Sequence, residues 1–508
     1  MTSAADGHPL QAPPGAKPRP DSTWPVLVAL LLGVLATVLA VWSLHLYPRP
    51  TVLGLGLLVV LTLVLVVGRG LLHLPMDRAL RGLALLVVLA ALLGPALALP
   101  QARQVFAFRV LVALLIIGGL TWALIRRPRL HIAPLHLIVW LAAWLGWLLL
   151  ALVWAPDKTA GFRYLVLLAL MVVVLAATAY WGTTRERLRT LVIALGLVLA
   201  LNLLVAAVEG TLGLHLQSSA YGARRIARFA TGFFYNPNDL ATFLAMCLPF
   251  LLVGLFLAQR ASLKALALLG LALSAFALVH TGSRVALLTV GFETLLVVAV
   301  LFARGWVRHR GAVVAIGIAL IAGLAFLSLN SSESPVLSQF RLANVTQEVQ
   351  SASGSSGFRA TLLELGWRAA LDYDLAGAGP GNAEDLIRAQ PDRPGDLANL
   401  HNWWMEILVD GGLPGLVFYL IFFVGLLVAL WRTGRDSEDD LLRYLGTAAA
   451  IAVAGYVIGC WGPSSVFDFP PMWVLFGLGL AVVLRAQRLE EELPQRRARS
   501  SLRSGAAA

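Results

Sequence analysis

Long apolar runs separated by short polar connections make up most of this chain. A helix rises about 1.5 Å per residue, so about 20 apolar residues cross about 30 Å of hydrocarbon, and many of these runs have that length. The composition, with 59% hydrophobic and 13% charged residues, lies far from that of soluble proteins, in which roughly 25% of residues are charged. The runs lack the alternation of barrel strands, so they predict membrane-spanning helices.

The pattern predicts an all-α integral membrane protein with about 14 transmembrane helices, or about 12 if one short pair is lost. The predicted spans are 24–46, 51–68, 82–99, 105–124, 132–154, 162–181, 190–212, 239–258, 264–280, 285–303, 312–328, 413–431, 444–462 and 469–486. The division that follows is an N-terminal tail (1–23), a first group of spans (24–328), a helical insert (329–412), a second group of spans (413–486) and a basic tail (487–508).

Basic residues set the predicted orientation. Most of the 39 Lys and Arg residues fall in alternate connections and in the two tails, as expected for cytoplasmic segments. Both termini are therefore predicted to be cytoplasmic, with the insert on the opposite side. The net charge of +12 is scattered over these short segments. Orientation in the bilayer explains the charge, and nucleic acid is not a predicted partner.

Several arginines lie on the predicted outer side, where the orientation rule does not explain them. They cluster after the seventh predicted span (Arg224, Arg225 and Arg228), at a tight turn after the ninth (Arg284) and in the insert (Arg341, Arg359, Arg368, Arg388 and Arg393). A guanidinium offers a planar fork that matches phosphate oxygens, so an anionic lipid headgroup is the predicted ligand. The alternative is contact with phospholipid phosphates or with a nearby carboxylate such as Asp239.

The insert contains patterns of two helices and a turn. Residues 358–373 have helical periodicity and follow a Ser-Gly-rich segment (351–357) that is predicted to be a flexible tether. The sequence Gly-Ala-Gly-Pro-Gly-Asn (377–382) predicts a turn. It is not a phosphate-binding P-loop, because no strand pattern precedes it and no Lys-Ser/Thr follows. A second helix is predicted from about Leu400 to Gly412.

Polar side chains at the start of this second helix form a candidate catalytic group. His401, Asn402 and Glu406 are predicted to lie on adjoining faces of one helical turn. No second His stands at metal-binding spacing on the outer side, so a base without a metal is favoured over a metal ligand, while a structural histidine remains the alternative. Trp403 and Trp404 either mark the membrane interface or stack on sugar rings.

Four fragments, in order, carry a family resemblance. They span 228–241 (with Gly-Phe-Phe-x-Asn-Pro-Asn-Asp), 281–284 (Thr-Gly-Ser-Arg), 357–382 (from Gly-Phe-Arg to the glycine-rich turn) and 399–415 (Asn-Leu-His-Asn to Gly-Gly-Leu-x-Gly). Together they resemble the superfamily of bacterial O-antigen ligases and O-antigen polymerases over about residues 200–430. His401 and the glycines that follow resemble the His-containing motif of the ligases.

The resemblance implies a GT-C-like glycosyltransferase of the bacterial inner membrane that works at the periplasmic face. It implies transfer of a whole glycan, with inversion, from undecaprenyl-pyrophosphate-linked O-antigen to lipid A-core, without a metal, a nucleotide sugar or another cofactor. Membrane lipids are the other implied partners. His401 is the expected base. The arginines expected to hold the donor pyrophosphate are Arg284, Arg228 and Arg225, and the supporting residues are Asn402, Glu406, Asn236 and Asn238.

Other functions stay open. A polymerase of the same superfamily would join repeat units to each other, and a protein O-oligosaccharyltransferase would use Ser or Thr of a protein. A lipid or solute transporter is the alternative from another class, because Glu293 lies near the centre of a predicted span, where a carboxylate is costly unless paired. A transporter leaves the insert unexplained. In a transferase, Glu293 is expected to be a satisfied polar group between helices.

Overall fold

The computed structural model describes residues 76–94, 98–99, 102–126, 135–221, 229–305, 342–351, 353–395, 397–463 and 467–505. The predicted spans 24–46, 51–68 and 312–328 lie outside the described residues, as do Arg225 and Arg228.

Helices account for nearly all of the described chain, and the protein is an all-α integral membrane protein. They are α1 (Met76–Leu93), α2 (Ala107–Arg126), α3 (Leu135–Ala151), α4 (Lys158–Trp181), α5 (Arg185–Leu212), α6 (Pro237–Leu257), α7 (Ala261–Thr281), α8 (Arg284–Ala303), α9 (Leu342–Gln350), α10 (Gly354–Asp372), α11 (Ala383–Arg388), α12 (Trp403–Asp436), α13 (Asp440–Gly459) and α14 (Pro470–Gly505). A short antiparallel hairpin, β1 (Ala98–Leu99) and β2 (Ala102–Phe106), stands between α1 and α2.

Among the described residues, 8 helices are long and apolar enough to cross a membrane: α4 to α8, α12, α13, and α14 as far as Glu491. Shorter apolar stretches lie in α2 and α3. Each predicted span that falls on described residues coincides with a helix, but the one predicted at 82–99 is displaced. Its helix, α1, ends at Leu93, because Gly94 has a positive φ of 41° and a proline follows it in the sequence.

Small residues allow the membrane helices to approach closely. Helix α13 packs against α12, α6 and α8. At the contact between α12 and α13, a Cβ added to Gly446 would lie 2.6 Å from the backbone N of Gly434. Lipid tails are as apolar as the side chains, so helix association inside a bilayer depends on such close packing.

Buried aromatic rings surround the start of α12. Trp403 and Tyr419 of α12 pack against Trp144 of α3, with ring centroids 6.0 and 5.2 Å from that of Trp144, and Trp473 of α14 lies 6.5 Å from Trp144 on another side. All four side chains are fully buried. Trp403 is therefore a core residue, neither an interface marker nor a platform for sugars.

Glu293 lies inside the helix bundle, on α8. It is 1% exposed, and neither carboxylate oxygen forms a hydrogen bond in the described part of the chain. The expectation of a satisfied polar group is therefore wrong. The carboxylate fits between the helices because Gly455 of α13 has no side chain to collide with it.

The described part of the insert is helical. Helix α10 begins at Gly354, so most of the Ser-Gly segment predicted to be a tether forms its first turn instead. The tether prediction is wrong because Glu348 of α9 accepts a hydrogen bond from the backbone N of Ser356 (3.0 Å) and fixes the segment. Leu362 and Leu365 of α10 share a small apolar core with Val409 of α12, which attaches the insert to the membrane helices.

We expect Gly446→Val to destabilise the bundle by about 1–3 kcal/mol, because the added atoms overpack the contact with Gly434. The measurement is thermal unfolding of the purified protein in detergent. Gly196→Ala on α5 is the control, since a Cβ there meets nothing within 4 Å. Equal melting temperatures for the Gly446 variant and the wild type would contradict the packing argument.

Candidate functional site

His401 lies just before α12. Its φ is +48°, a left-handed conformation that is uncommon outside glycine. The helix begins at Trp403 because the side chain of Asn402 accepts a hydrogen bond from the backbone N of Met405 (3.1 Å), as an N-cap residue does. The prediction that His401, Asn402 and Glu406 share one helical turn is therefore wrong for His401.

Two hydrogen bonds orient His401. Its backbone N donates to Oδ1 of Asn399 (2.8 Å), and its Nδ1 lies 3.0 Å from the carbonyl oxygen of Pro463, which follows α13. A carbonyl oxygen only accepts hydrogen bonds, so Nδ1 carries the proton and Nε2 of the neutral ring keeps its lone pair. Nε2 is therefore the atom that can accept a proton.

Burial lowers the pKa of His401 below its ordinary value, and the charge of Arg359 lowers it further. The carbonyl of Pro463 and the carboxylate of Glu384 act in the opposite direction without reversing the shift. The imidazole therefore stays neutral at neutral pH, which suits a general base.

Arg284, at the first turn of α8, binds the insert. Its Nη1 and Nη2 donate to the two carboxylate oxygens of Glu348 (2.8 and 2.9 Å), and Nη1 also donates to Oγ of Ser356 (2.7 Å). These contacts lower the pKa of Glu348 to about 2, with the Arg284 hydrogen bond as the largest cause. Pairing with a carboxylate was the alternative for this arginine, and Glu348 is such a partner.

Arg359 of α10 is a second cation near His401. Burial lowers its pKa, and the charge of Arg284 lowers it further, so the two guanidinium groups lie within electrostatic reach of each other. Arg359 forms no hydrogen bond or ion pair with a described residue. Sequence reasoning grouped this arginine with the outer arginines predicted to bind an anionic headgroup but did not include it among those expected to hold the donor pyrophosphate, although the Gly-Phe-Arg fragment was a signal.

The segment after Arg228 and the turn before Arg284 meet. The backbone N of Ala230 donates to the carbonyl oxygen of His280 (2.8 Å). The two connections therefore meet at the backbone.

Glu209, fully buried near the end of α5, fixes that segment. Its carboxylate accepts hydrogen bonds from the backbone N atoms of Thr231 (2.6 Å) and Gly232 (2.7 Å) and from Oγ1 of Thr231 (2.7 Å). Asn202, which is also a buried residue of α5, accepts a hydrogen bond from the backbone N of Phe233 (3.1 Å). Sequence reasoning missed both residues because each lies within an apolar run.

Asn236 and Asn238 support the start of α6. Asn236 is its N-cap, and the side-chain oxygen accepts a hydrogen bond from the backbone N of Asn238 (2.9 Å). The backbone oxygen of Asn238 accepts from Oγ1 of Thr242 (2.9 Å). These contacts keep the helix that follows the Phe-Phe segment in place.

Asp410, buried on α12, organises the glycine-rich turn at 377–382. Its carboxylate accepts hydrogen bonds from the backbone N atoms of Gly381 (2.9 Å), Asn382 (3.1 Å) and Ala383 (2.8 Å). The turn therefore surrounds a carboxylate of the protein itself and not a phosphate. Sequence reasoning missed Asp410, although its place at the end of the His-containing fragment was a signal.

Glycines allow the turn to lie against α12. A Cβ on Gly377 would be 2.5 Å from the backbone N of Gly412, and both glycines have positive φ. Gly412 interrupts the regular geometry of α12 (φ 66°, ψ −171°). The side chain of Asn382 extends the attachment by accepting a hydrogen bond from the backbone N of Asp157 (2.9 Å), just before α4.

Glu406 lies on the first turn of α12, as predicted, and is 6% exposed. Its Oε2 has no hydrogen-bond partner among the described residues. It lines a cavity of about 280 Å³ together with Glu384 and Asn399. Within the described ranges, no group of three or more His, Cys, Asp or Glu residues is arranged to hold a metal ion.

Comparison with known proteins places these residues in a family context. Residues 269–420 match the family described as O-Antigen ligase. The resemblance to the O-antigen ligase superfamily is confirmed. The matched region contains Arg284, Arg359, the glycine-rich turn and His401.

The chain is also similar to the teichuronic acid biosynthesis protein TuaE of Bacillus subtilis (strain 168). The two are 26% identical over 381 residues, which cover 73% of this chain and 77% of that protein. Taken with the apolar helices, the two matches support a multi-pass membrane enzyme that processes glycans.

We expect Glu348→Gln to loosen the attachment of α9 and α10 to α8, because Arg284 loses its charged acceptor. Hydrogen exchange of the amides at 342–356 should become several-fold faster. Glu364→Gln is the matched control, since it removes an exposed pair with Arg368 on the same helix.

The pH dependence of this attachment follows from the lowered pKa of Glu348. The stabilisation is complete above the ordinary value of 4.5 and is lost as the pH falls from there towards about 2. Wild-type protection at 342–356 should therefore decrease over that window, while the Glu348→Gln variant should change less. An equal decrease in both proteins would argue against this pair as the cause.

Proposed function

We propose that this protein transfers a glycan en bloc from a polyprenyl pyrophosphate donor to a hydroxyl group of an acceptor glycan, with His401 as the general base. The observation that carries the proposal is the neutral His401 ring, whose Nδ1 is held by the Pro463 carbonyl, within reach of the Arg359 cation and the Glu384 carboxylate. Undecaprenyl-pyrophosphate-linked O-antigen is the proposed donor, and lipid A-core is the proposed acceptor.

In the proposed reaction, Nε2 of His401 removes the proton from an acceptor hydroxyl group. The oxygen then attacks the anomeric carbon of the donor while the bond from that carbon to the pyrophosphate oxygen breaks, and the pyrophosphate leaves with the electron pair. Attack opposite the leaving group inverts the anomeric centre. The polyprenyl pyrophosphate carries its own activation, so neither a nucleotide nor a metal ion is part of the proposal.

The proposed pyrophosphate site consists of arginines. Arg359 is the strongest candidate, because its guanidinium forms no ion pair with a described residue and acts on the His401 ring. Arg284, which lies within electrostatic reach of Arg359, is proposed as a second residue of the site. Arg228 and Arg225, from the connection before α6, are proposed to complete it. Cations in such positions stabilise the negative charge that develops on a leaving pyrophosphate.

The proposed setting is the bacterial inner membrane, with both termini in the cytoplasm and His401 at the periplasmic face. The distribution of Lys and Arg between alternate connections supports this orientation. A lipid-linked pyrophosphate donor carries its own activation, which suits the periplasm because no ATP is available there.

Polymerisation of repeat units is the second candidate function. It is favoured by one specific finding: the relative from Bacillus subtilis is named for biosynthesis of teichuronic acid and not for attachment of a glycan to lipid A-core. The two candidates use the same donor and base and differ in the acceptor.

The test compares acceptors in purified, reconstituted protein supplied with the lipid-linked glycan and excess chelator. A ligase joins the glycan to lipid A-core, whereas a polymerase lengthens the lipid-linked glycan when no core is present. Absence of both products, with the chelator removed as well, would reject the proposed function.

We expect His401→Ala to lower the transfer rate at least about 100-fold, as for loss of a general base. His136→Ala, an exposed histidine on α3, is the control and should transfer normally. In the wild type, the rate should fall as the pH drops through the lowered pKa of His401, so the midpoint of the acid limb of kcat/KM should lie below 6.5. A midpoint above 6.5, or a His401→Ala variant that retains a tenth of the activity, would remove His401 from this role.

Arginine-to-lysine variants test the pyrophosphate site. We expect Arg359→Lys to raise the donor KM and lower kcat by about tenfold or more, because lysine keeps the charge but lacks the bidentate fork. Arg284→Lys should lower activity and also speed up hydrogen exchange in α9. Arg368→Lys, an exposed residue of α10, is the control. Normal kinetics of the Arg359 variant would assign the donor phosphates to other residues.

A further inference from the structure

A cavity of about 280 Å³ lies between α4, α11 and the first turn of α12. Its lining includes Arg163 and Tyr164 of α4, Glu384 of α11, Glu406 of α12, and Asn399 and Phe467 from connections. Donor binding, as proposed above, uses arginines and leaves this mainly acidic cavity without a role.

The cavity is joined to His401 by hydrogen bonds. The side-chain amide of Asn399 donates to Oε1 of Glu384 (2.9 Å), and its Oδ1 accepts from the backbone N of His401 (2.8 Å). Asn399 therefore links a lining carboxylate directly to the backbone of the proposed base. His401 does not itself line the cavity, but Asn399 and Leu400, the two residues before it in the chain, do.

Glu406 is the group in the cavity that needs a partner. The side chain is more than nine-tenths buried, and its Oε2 has no hydrogen-bond partner among the described residues. A buried carboxylate oxygen without a donor is costly, and a ligand hydroxyl group would remove that cost. Asp410 also lines the cavity, but three backbone N–H groups already satisfy its carboxylate.

The remaining lining suits a sugar ring. Tyr164 and Phe467 pack with ring centroids 4.2 Å apart and offer an apolar surface beside the carboxylates. A sugar presents apolar C–H groups on its faces and hydroxyl donors at its edge, which matches an aromatic surface next to hydrogen-bond acceptors. The exposed carboxylates of Glu384 and Asp385, which also line the cavity, disfavour a pyrophosphate in the same place by charge repulsion.

We propose that this cavity holds the acceptor: a neutral, hydroxyl-rich sugar ring that donates hydrogen bonds to Glu406 and Glu384 and packs against Tyr164 and Phe467, with its reacting hydroxyl group directed to Nε2 of His401. The inference rests on the proposed function, since it names the acceptor site of that reaction. Glu406 and Glu384 act as acceptor-binding residues, and Asn399 acts as a positioning residue between the acceptor and the base.

The experiment uses full-length protein in nanodiscs, with undecaprenyl-pyrophosphate-linked O-antigen as the donor and core oligosaccharide from the host's lipopolysaccharide as the acceptor probe. We expect Glu384→Gln and Glu406→Gln each to raise the KM for the core oligosaccharide about tenfold or more, because an amide NH2 group replaces one of the two oxygens that can accept a hydrogen bond from the sugar. The donor KM should stay within about twofold of wild type. Asp392→Asn, an exposed carboxylate of the insert, is the control.

Hydrogen exchange of the wild-type protein gives a second measurement, which does not require the variants to fold. Core oligosaccharide alone should protect the amides at 158–167 and 383–388 in the wild type, whereas donor alone should not. No protection at saturating oligosaccharide, or an unchanged acceptor KM in both variants, would overturn the acceptor site. If the wild type still transfers glycan normally, those results reject the acceptor site but not the proposed function. If the wild type transfers glycan to no acceptor, the proposed function itself is rejected.

Discussion

The insert depends on the buried carboxylate of Asp410. A carboxylate removed from water is costly unless it is hydrogen-bonded, and three successive backbone N–H groups at the end of the glycine-rich turn meet that requirement. The same bonds hold the turn against α12 and bring Asn382 to the start of α4. His401 lies in the chain between residues 381–383 and Asp410. Because these two points are joined by hydrogen bonds, they restrict where His401 can lie relative to the membrane helices.

Charge in the site is divided around a neutral ring. Arg359, near the Arg284–Glu348 pair, provides positive charge at the contact between α8 and the insert, and Glu384 provides negative charge at the cavity. When the neutral His401 ring takes up a proton, the charge of Arg359 opposes the new cation and the Glu384 carboxylate favours it. In the proposed reaction, the anionic donor and the neutral hydroxyl acceptor would lie on different sides of the base.

Hydropathy was enough to predict the membrane helices, because about 20 apolar residues have few other uses. Local rules failed where a distant residue decided the conformation. The pairing of Arg284 with Glu348 joins positions 64 residues apart, and it converts a Ser-Gly segment into helix. His401 was placed on a helix because its neighbours fit the period, whereas Asn402 acts as the cap. Glu209 and Asp410 were overlooked because the sequence shows each as a single acidic residue among apolar ones. Their role depends on hydrogen bonds from backbone N atoms that are distant in the sequence.

The left-handed backbone conformation at His401 does not depend on the imidazole side chain. Its conformation is set by the Asn399 side chain on one side and the Asn402 cap on the other, and not by the imidazole. Asparagine also tolerates a positive φ, so a chain with Asn at this position meets little backbone strain. His401→Asn would therefore remove the proposed base from a folded protein and leave the surrounding surfaces in place.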